Sequence, residues 1–185
     1  MSLIVTIGGS PSGPSKSASI LELARQRLEQ GGFTTHSIAV RSLNTEDLIY
    51  GRYNSPELQS TFEIVKQADG IIIATPIYKA AYSGVLKVYL DLLPANAFAN
   101  KIVLPIATGG SPAHSLVIDY ALRPVLVALG APHILTGVYL IDSEMKPSDP
   151  NAGASADSGA LQLEASAETR LFAALDELAR LLTSR

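Results

Sequence analysis

Glycine and serine are concentrated in residues 8–17, directly after the first apolar segment of the chain. Glycine lets the backbone approach a ligand closely, and hydroxyls with free N–H groups at the start of a helix suit a phosphate group. Gly8, Gly9 and Gly13 lack the G-x-G-x-x-G spacing of a dinucleotide-binding loop, and the Gly-Lys-Ser/Thr of a P-loop is absent. The segment predicts a site for one phosphate group, with an ordinary Ser/Pro-rich turn as the alternative.

A second segment, residues 75–84, combines a proline, two tyrosines and a lysine after another apolar run. Pro76, Tyr78, Lys79 and Tyr82 could line a flat aromatic ligand, because backbone N–H groups of such a loop can meet ring carbonyls and nitrogens. The alternative is that Tyr78 and Tyr82 only cover the edge of a sheet. This segment by itself does not decide between the two interpretations.

A third segment, Thr108-Gly109-Gly110-Ser111-Pro112-Ala113-His114, again follows an apolar run. Its glycines permit a flat backbone approach to a ring face. His114 either donates to a ligand or caps the next helix. No second histidine or carboxylate stands nearby in the sequence, so we predict no metal site. The G-x-S-x-G elbow of a hydrolase nucleophile is also absent around Ser10.

Apolar runs and amphipathic segments alternate along the chain, which is typical of a parallel sheet with helices on both faces. We predict one domain over residues 1–185: an α/β, flavodoxin-like, doubly wound five-stranded parallel sheet of order 2-1-3-4-5. The segment 143–159, rich in Ser, Pro, Gly, Ala and Asp, is predicted to be a mobile loop. The predicted strands are 3–7, 33–40, 71–75, 102–107 and 134–140. The predicted helices are 17–29, one with Ser55 as its N-cap and Pro56 in its first turn, one that Ser83 caps and that ends at Leu93, 112–129 and 164–182.

In such a sheet, ligands bind beyond the carboxyl ends of the strands, near the switch in strand order. The three segments described above follow the first, third and fourth predicted strands. We therefore expect them to meet at one edge of the sheet and to form a single site.

Composition excludes several classes of function. The net charge of −3 comes without a basic stripe, so nucleic acid is not an expected partner. The chain has no cysteine, which excludes disulfides, thiolate catalysis and Cys-based metal sites. No apolar run approaches the roughly 20 residues that span a bilayer, and the first residues read as a strand and not as a signal peptide. We predict a cytoplasmic protein without a membrane partner.

The three segments together resemble the NADPH-dependent FMN reductases, specifically the alkanesulfonate-utilisation type. The resemblance extends to about Asp142. It implies a flavodoxin-like fold, a flavin reduced by a nicotinamide cofactor, and delivery of reduced FMN to a partner monooxygenase that cleaves sulfonates. Its most specific stretches are Gly9-Ser10-Pro11, Ala68-Asp69-Gly70, Ala74 to Gly84, Ala107-Thr108-Gly109-Gly110 and Asp119 to Leu126.

The resemblance also implies roles for individual positions. The serines of the first segment would hold the FMN phosphate, the second segment would line the isoalloxazine, and the third would close its other side. Ser12 stands where relatives often have arginine, and Lys16 is the candidate for the missing positive charge. The residues predicted to bind FMN and NADPH are Ser10, Ser15, Lys16, Ser17, Pro76, Ile77, Tyr78, Lys79, Thr108, Gly109, Gly110, Ser111 and His114.

No catalytic acid or base is predicted, because hydride would pass from the nicotinamide C4 to flavin N5 and the cofactor carries that chemistry. Lys79 is the best candidate for polarising the flavin or for contacting the NADPH phosphate. Two other functions remain open on the same scaffold. One is a quinone or azo reductase, and the other is a flavodoxin-like electron carrier, although such carriers are usually more acidic than this chain.

Pro124 lies well inside the fourth predicted helix, where its ring must clash with the carbonyl of Tyr120. A kink or a π-bulge at Tyr120 is the expected consequence. The resemblance implies a tyrosine-bearing π-helix here, at a tetramer interface beside the flavin. A plain proline kink is the alternative.

Two predicted helices are apolar almost all round. Charged residues are limited to Lys87 and Asp91 in 85–93, and to Asp119 and Arg123 in 116–129. A surface helix needs only one apolar stripe, so a second face is expected to be buried against another subunit. We predict a homo-oligomer, specifically a tetramer.

Overall fold

The computed structural model describes residues 2–147 and 161–184, and a single mostly parallel sheet organises them. The sheet order is β2-β1-β3-β5-β6, with β7 pairing β5 further along the same outer edge and the short β4 returning antiparallel on β3. The predicted flavodoxin-like α/β class and its 2-1-3-4-5 order are confirmed. The strands are β1 (Leu3–Gly8), β2 (Thr34–Ala39), β3 (Gly70–Tyr78), β4 (Ala81–Tyr82), β5 (Ile102–Gly109), β6 (His133–Ile134) and β7 (Val138–Ile141).

Helices cover both faces of the sheet. α1 and α6 pack on one face, against side chains that include Ile4 and Leu104. α3, α4 and the residues around α5 pack on the other, against side chains that include Ile71 and Val103. Successive strand residues point to opposite faces, so uninterrupted apolar strands serve both cores. The helices are α1 (Lys16–Gln30), α2 (Thr45–Ile49), α3 (Pro56–Gln67), α4 (Gly84–Leu92), α5 (Arg123–Ala128) and α6 (Ala165–Thr183).

Serine side chains start three of these helices. Ser15, Ser55 and Ser83 each accept a hydrogen bond from the backbone N–H three residues later. The sequence predicted the last two caps correctly. The first helix begins at Lys16 and not at Ser17, because Ser15 occupies the cap.

The fourth predicted helix, 112–129, is wrong as a single helix. A 3₁₀ turn over Pro112–His114 comes first, a π-helix over Ile118–Leu122 follows, and α5 begins only at Arg123. Pro124 has no N–H for an α-helical bond, so the wider turn that precedes it accommodates the ring.

The fifth predicted strand, 134–140, is interrupted. β6 ends at Ile134 and β7 starts at Val138. The π-helix packs closely against the chain between β6 and β7, since a Cβ on Gly137 would lie 2.6 Å from Cγ2 of Ile118. Strand pairing with β5 stops beside this contact and resumes at Val138.

Regular secondary structure occupies the first residues of the segment 143–159, for which the sequence predicts a mobile loop. A 3₁₀ turn covers Asp142–Glu144, and β8 (Met145–Pro147) then pairs antiparallel with β9 (Leu161–Leu163). Residues 148–159 of that prediction lie outside the described residues.

The Ala68-Asp69-Gly70 stretch closes the amino edge of the sheet, opposite the three loops. The Asp69 carboxylate accepts from the Leu3 N–H at 2.9 Å, and the Asp69 N–H donates to the Leu3 carbonyl at 2.8 Å. The buried Lys101 amino group donates to the carbonyl of Ala68 at 2.7 Å, and burial lowers its pKa. These contacts are structural, so this stretch does not belong to the site.

No helix in the described part of the chain is both long and apolar enough to cross a bilayer.

Candidate functional site

Strand register brings the three predicted loops to one edge of the sheet. β1 and β3 pair in parallel up to Gly8 and Ala74, and β3 and β5 pair up to Pro76 and Thr108. The Gly9 N–H extends the first ladder by donating to the Ala74 carbonyl at 2.8 Å. The loops after β1, β3 and β5 therefore begin side by side, as expected for a ligand site at the switch in strand order.

The loop after β1 is organised by its own hydroxyls. Ser10 is buried, and its Oγ accepts from the Ser12 N–H at 3.1 Å and contacts the Ser12 carbonyl at 3.2 Å. These hydrogen bonds between the Ser10 side chain and the Ser12 backbone form a turn that a backbone hydrogen bond would otherwise close.

The loop then enters α1 through a pair of serines. Ser15 Oγ accepts from the Ala18 N–H at 3.2 Å and lies 3.4 Å from the hydroxyl of the buried Ser17. The first-turn N–H groups of Lys16 and Ser17 have no acceptor within the helix, and the helix dipole favours an anion there. Two hydroxyls and this helix start provide the donors that a phosphate requires.

Lys16 points across the site towards a different element. Its Nζ lies 3.0 Å from Oδ1 of Asp142 and 3.1 Å from the Asp142 carbonyl. Asp142 follows β7, and its Oδ2 is 3.7 Å from the position that a Cβ on Gly110 would take. Lys16 thus links the start of α1 to the third loop, and its role as the phosphate cation stays a prediction.

Ser83 joins the first loop to the second. Its hydroxyl donates to the Gly9 carbonyl and also accepts from the Leu86 N–H as the cap of α4. Its own N–H donates to Oγ1 of the fully buried Thr75 at 3.0 Å. Since Ser83 is itself buried, water does not compete for these bonds. The sequence predicts only the helix cap at Ser83 and not its bonds to Gly9 and Thr75.

Glycine is required at position 9 for the same junction. A Cβ on Gly9 would lie 2.7 Å from Cβ of Leu86, so no other residue type fits without moving α4. The close approach brings the first loop against the start of α4.

The second loop is a tight hairpin with a strained backbone. Tyr78 pairs with Ala81, and Lys79 and Ala80 between them have φ values of +50° and +60°. Two positive φ values are typical of a type I′ turn, which glycine or asparagine usually occupies. Each non-glycine residue there costs about 1–2 kcal/mol. Strain of this kind persists where the surrounding structure enforces it, and it is concentrated at functional sites.

The predicted ring-binding residues of this hairpin have different surroundings. Pro76 and Ile77 are half-buried, and Ile77 packs against Val117 and Ile118. Tyr78 is 49% exposed, and Lys79 is exposed at the tip. Tyr78 and Lys79 are therefore accessible to a ligand, whereas Ile77 is partly taken up by its packing against the residues that begin the π-helix.

The third loop is fixed by a tyrosine that the sequence analysis missed. The Tyr139 hydroxyl donates to the Ser111 carbonyl at 2.7 Å, and it occupies the space where a Cβ on Gly109 would lie. Burial raises the pKa of the Tyr139 phenol, and the negative charge of Asp142 raises it further. Tyr139 stands in β7, distant in sequence, and only the β5–β7 pairing brings it to the loop.

Other predicted residues of this loop are in place with varied exposure. Thr108 is buried at the end of β5, next to Pro76. Gly110 is exposed, and Ser111 Oγ accepts from the Ala113 N–H at 3.2 Å and thereby caps the 3₁₀ turn. His114 ends that turn as an exposed residue.

Tyr120 does not belong to any of the three loops but stands on an element next to the second one. It is 79% exposed on the π-helix, which packs against β4, the strand that returns from the hairpin. The π-helix therefore touches the second loop directly.

The arrangement fits FMN. One loop offers hydroxyls and a helix start to a phosphate, and two further loops offer tyrosine, lysine and glycine backbone to a flat ring. Within residues 2–147 and 161–184 no cluster of His, Asp or Glu is suited to hold a metal ion.

The fold and the site define a flavin-binding oxidoreductase of the flavodoxin-like class. The model of the NADPH-dependent FMN reductase family matches residues 2–146. The chain belongs to the NADPH-dependent FMN reductase family, with FMN and NADPH as the cofactors of that family.

Curated relatives agree with this assignment. The chain is 52% identical over 143 residues to an FMN reductase (NADPH) of Pseudomonas putida, covering 77% of this chain and 73% of the relative. It is 51% identical over 142 residues to an FMN reductase (NADPH) of Escherichia coli, covering 77% and 74%. An NADH-dependent FMN reductase, SfnE, of Pseudomonas putida is 29% identical over 174 residues, covering 92% of each chain.

Solved structures show the same architecture. The apo form of an NADH:FMN oxidoreductase, EmoB, superposes with a TM-score of 0.85 at 36% identity, covering 100% of this chain and 92% of that one. An oxidoreductase of Corynebacterium diphtheriae gives a TM-score of 0.79 at 28% identity, covering 100% and 98%.

Replacing Ser83 with alanine tests the junction of the two loops. Ser83→Ala is expected to lower the free energy of unfolding by about 1 kcal/mol, as for other lost caps, and to weaken FMN binding several-fold. Urea denaturation and titration of flavin fluorescence measure the two effects.

Ser55→Ala is the matched control for this variant, because Ser55 caps α3 with the same geometry and its hydrogen bonds join only Arg52, Leu58 and Gln59, outside the three loops. It is expected to lose similar stability and to keep wild-type FMN affinity. Equal FMN affinity in the two variants would show that Ser83 is only a cap.

Proposed function

We propose that this protein reduces FMN with NADPH and hands the reduced FMN to a flavin-dependent monooxygenase that cleaves sulfonates. The observation that carries the reductase assignment is the junction of three loops at the carboxyl edge of β1, β3 and β5, held by Ser83 and Tyr139. Family membership supports the same reaction. The monooxygenase partner is supported by the resemblance to the alkanesulfonate-utilisation type.

Bound FMN would supply the redox chemistry, as the acceptor of hydride from NADPH. The protein binds and orients. Ser10, Ser15 and Ser17 donate to the phosphate at the start of α1, where the helix dipole adds a favourable field. This anchor fixes the distance between the phosphate and the ring loops.

The second and third loops hold the ring. The segment 76–79 would line one side of the isoalloxazine and 108–111 would close the other, with the backbone of Gly109 and Gly110 against the ring. Lys79 stands at the strained tip of the hairpin, and its ammonium group would stabilise negative charge on the ring or on the NADPH phosphate. His114 lies at the rim. Hydride transfer needs no protein acid or base, so we assign no catalytic residue.

Assembly as a tetramer is part of the proposal. Leu116 lies just before the π-helix, Tyr120 within it and Val127 in α5, and they are 61%, 79% and 59% exposed at sequence spacings of four and seven. An exposed apolar stripe of this kind is typical of a subunit interface. The outer face of α4, with Val85 and Val88 half-buried, offers a second apolar surface.

A cytoplasmic location stays a prediction from the sequence.

Purified protein is expected to oxidise NADPH at a rate that rises with added FMN. Absorbance of the nicotinamide measures this oxidation, and a parallel titration with NADH compares the two donors. Turnover only with an added quinone or azo dye would support the alternative reductases.

The variant Ser10→Ala/Ser15→Ala/Ser17→Ala is expected to keep its fold and to need a higher FMN concentration for half-maximal binding, since it lacks phosphate donors. Unchanged FMN affinity in the triple variant would refute the phosphate site.

The partner is tested in a coupled reaction. An alkanesulfonate monooxygenase mixed with this protein, FMN, NADPH, oxygen and a sulfonate is expected to release sulfite. Omission of this protein is the control, and it should abolish product. Vigorous NADPH oxidation without sulfite would argue against a sulfonate-cleaving partner while leaving the reductase assignment intact.

Tyr120→Asp is expected to dissociate the tetramer, because it places a charge in the centre of the apolar stripe. Sedimentation velocity at micromolar concentration measures the assembly. Tyr120→Phe keeps the ring and is expected to remain tetrameric. A wild-type protein that sediments only as a monomer would contradict the proposal.

A further inference from the structure

The phosphate loop carries little positive side-chain charge of its own. Residues 8–15 contain no lysine or arginine, and Lys16, which follows them, lies with its Nζ 3.0 Å from Oδ1 of Asp142. A flavin phosphate has a charge of about −2 near neutral pH, by analogy with phosphorylated side chains. Backbone dipoles and serine hydroxyls alone leave most of that charge without a counter-ion.

A cation reaches the loop from the neighbouring strand. β2 runs parallel to β1, with Ala39 opposite Gly8, so the chain leaves both strands at the same edge of the sheet. The 3₁₀ turn Val40–Ser42 follows at once, and its central residue is Arg41.

The turn holds Arg41 in a defined position. Val40 is fully buried, the Leu43 N–H donates to its carbonyl at 3.2 Å, and the Ser42 hydroxyl donates to the Ala39 carbonyl at 2.7 Å. Arg41 itself is exposed, on the side of the phosphate loop.

The guanidinium of Arg41 lies directly on the backbone of Gly13. A Cβ on Gly13 would be 2.6 Å from Cζ and 2.9 Å from Nη2 of Arg41. A side chain at position 13 would push the guanidinium aside, so glycine at this position allows the close approach of an arginine that is 28 positions away in the chain. The guanidinium charge therefore lies beside Gly13, which stands between the turn at Ser10–Ser12 and the start of α1.

We propose that Arg41 is a phosphate-binding cation of this site and pairs with the 5′-phosphate of FMN. This inference rests on the proposed function. A guanidinium can engage two phosphate oxygens at once and keeps its charge at any physiological pH, which suits it to this role. It makes the site selective for FMN over riboflavin, the same ring system without the phosphate.

Arg41→Gln is the decisive variant, tested by quenching of flavin fluorescence without NADPH. FMN affinity is expected to fall about tenfold, as for the loss of a hydrogen bond to a charged group at an exposed site, while riboflavin affinity is unchanged. The dependence of FMN affinity on salt is expected to become shallower, because one screened ion pair is lost.

Arg52→Gln is the matched control, since it makes the same change at an exposed arginine whose partners are Glu46 and Asp47. Its FMN affinity is expected to stay within about twofold of wild type. The double variant Ser12→Arg/Arg41→Gln moves the charge into the loop itself and is expected to restore FMN binding.

Three outcomes would overturn the assignment of Arg41: unchanged FMN affinity in Arg41→Gln, an equal loss for FMN and riboflavin, or a higher KM for NADPH but not NADH with FMN affinity intact. The last result would assign the guanidinium to the 2′-phosphate of NADPH. A wild-type protein that binds no FMN would instead refute the proposed function, so the two failures are distinguishable.

Discussion

The buried hydroxyl of Ser83 is the contact on which the geometry of the site depends. It bonds both to the Gly9 carbonyl and to the start of α4, while its N–H is held by Thr75. Two loops from different strands are thereby fixed relative to one another in surroundings that exclude water, where hydrogen bonds are strongest. A phosphate anchor and a ring pocket must keep a set separation to hold one flavin. This contact supplies that separation.

The ring pocket also connects the site to the proposed assembly. The strained turn at Lys79 and Ala80 leads into β4, and β4 packs on the π-helix that carries Tyr120. A subunit that docks on Tyr120 would therefore press on the element that shapes the hairpin. Strain that a monomer has to maintain by itself would be supported from outside in the tetramer, so assembly and ring binding would favour each other.

Features set by neighbouring residues were predictable from the sequence. The caps at Ser55 and Ser83 follow from residue type and spacing, and the strand order follows from alternation with right-handed crossovers. The distortion at Tyr120 follows from the missing N–H of Pro124 four residues on. The errors arose where a distant element intervened. The straight fifth strand fails because the π-helix presses on Gly137, a contact that no local pattern encodes.

The sequence by itself determined the first four parallel strands and their order, the caps at Ser55 and Ser83, and that three loops rich in serine, glycine and tyrosine share one edge of the sheet. Only the tertiary structure decided how those loops are held and charged. Lys16 engages Asp142, Tyr139 takes the space beside Gly109, and Arg41 lies on Gly13. The physical reason is that helix caps and strand periodicity act over a few residues, whereas these contacts join positions brought together by strand pairing alone.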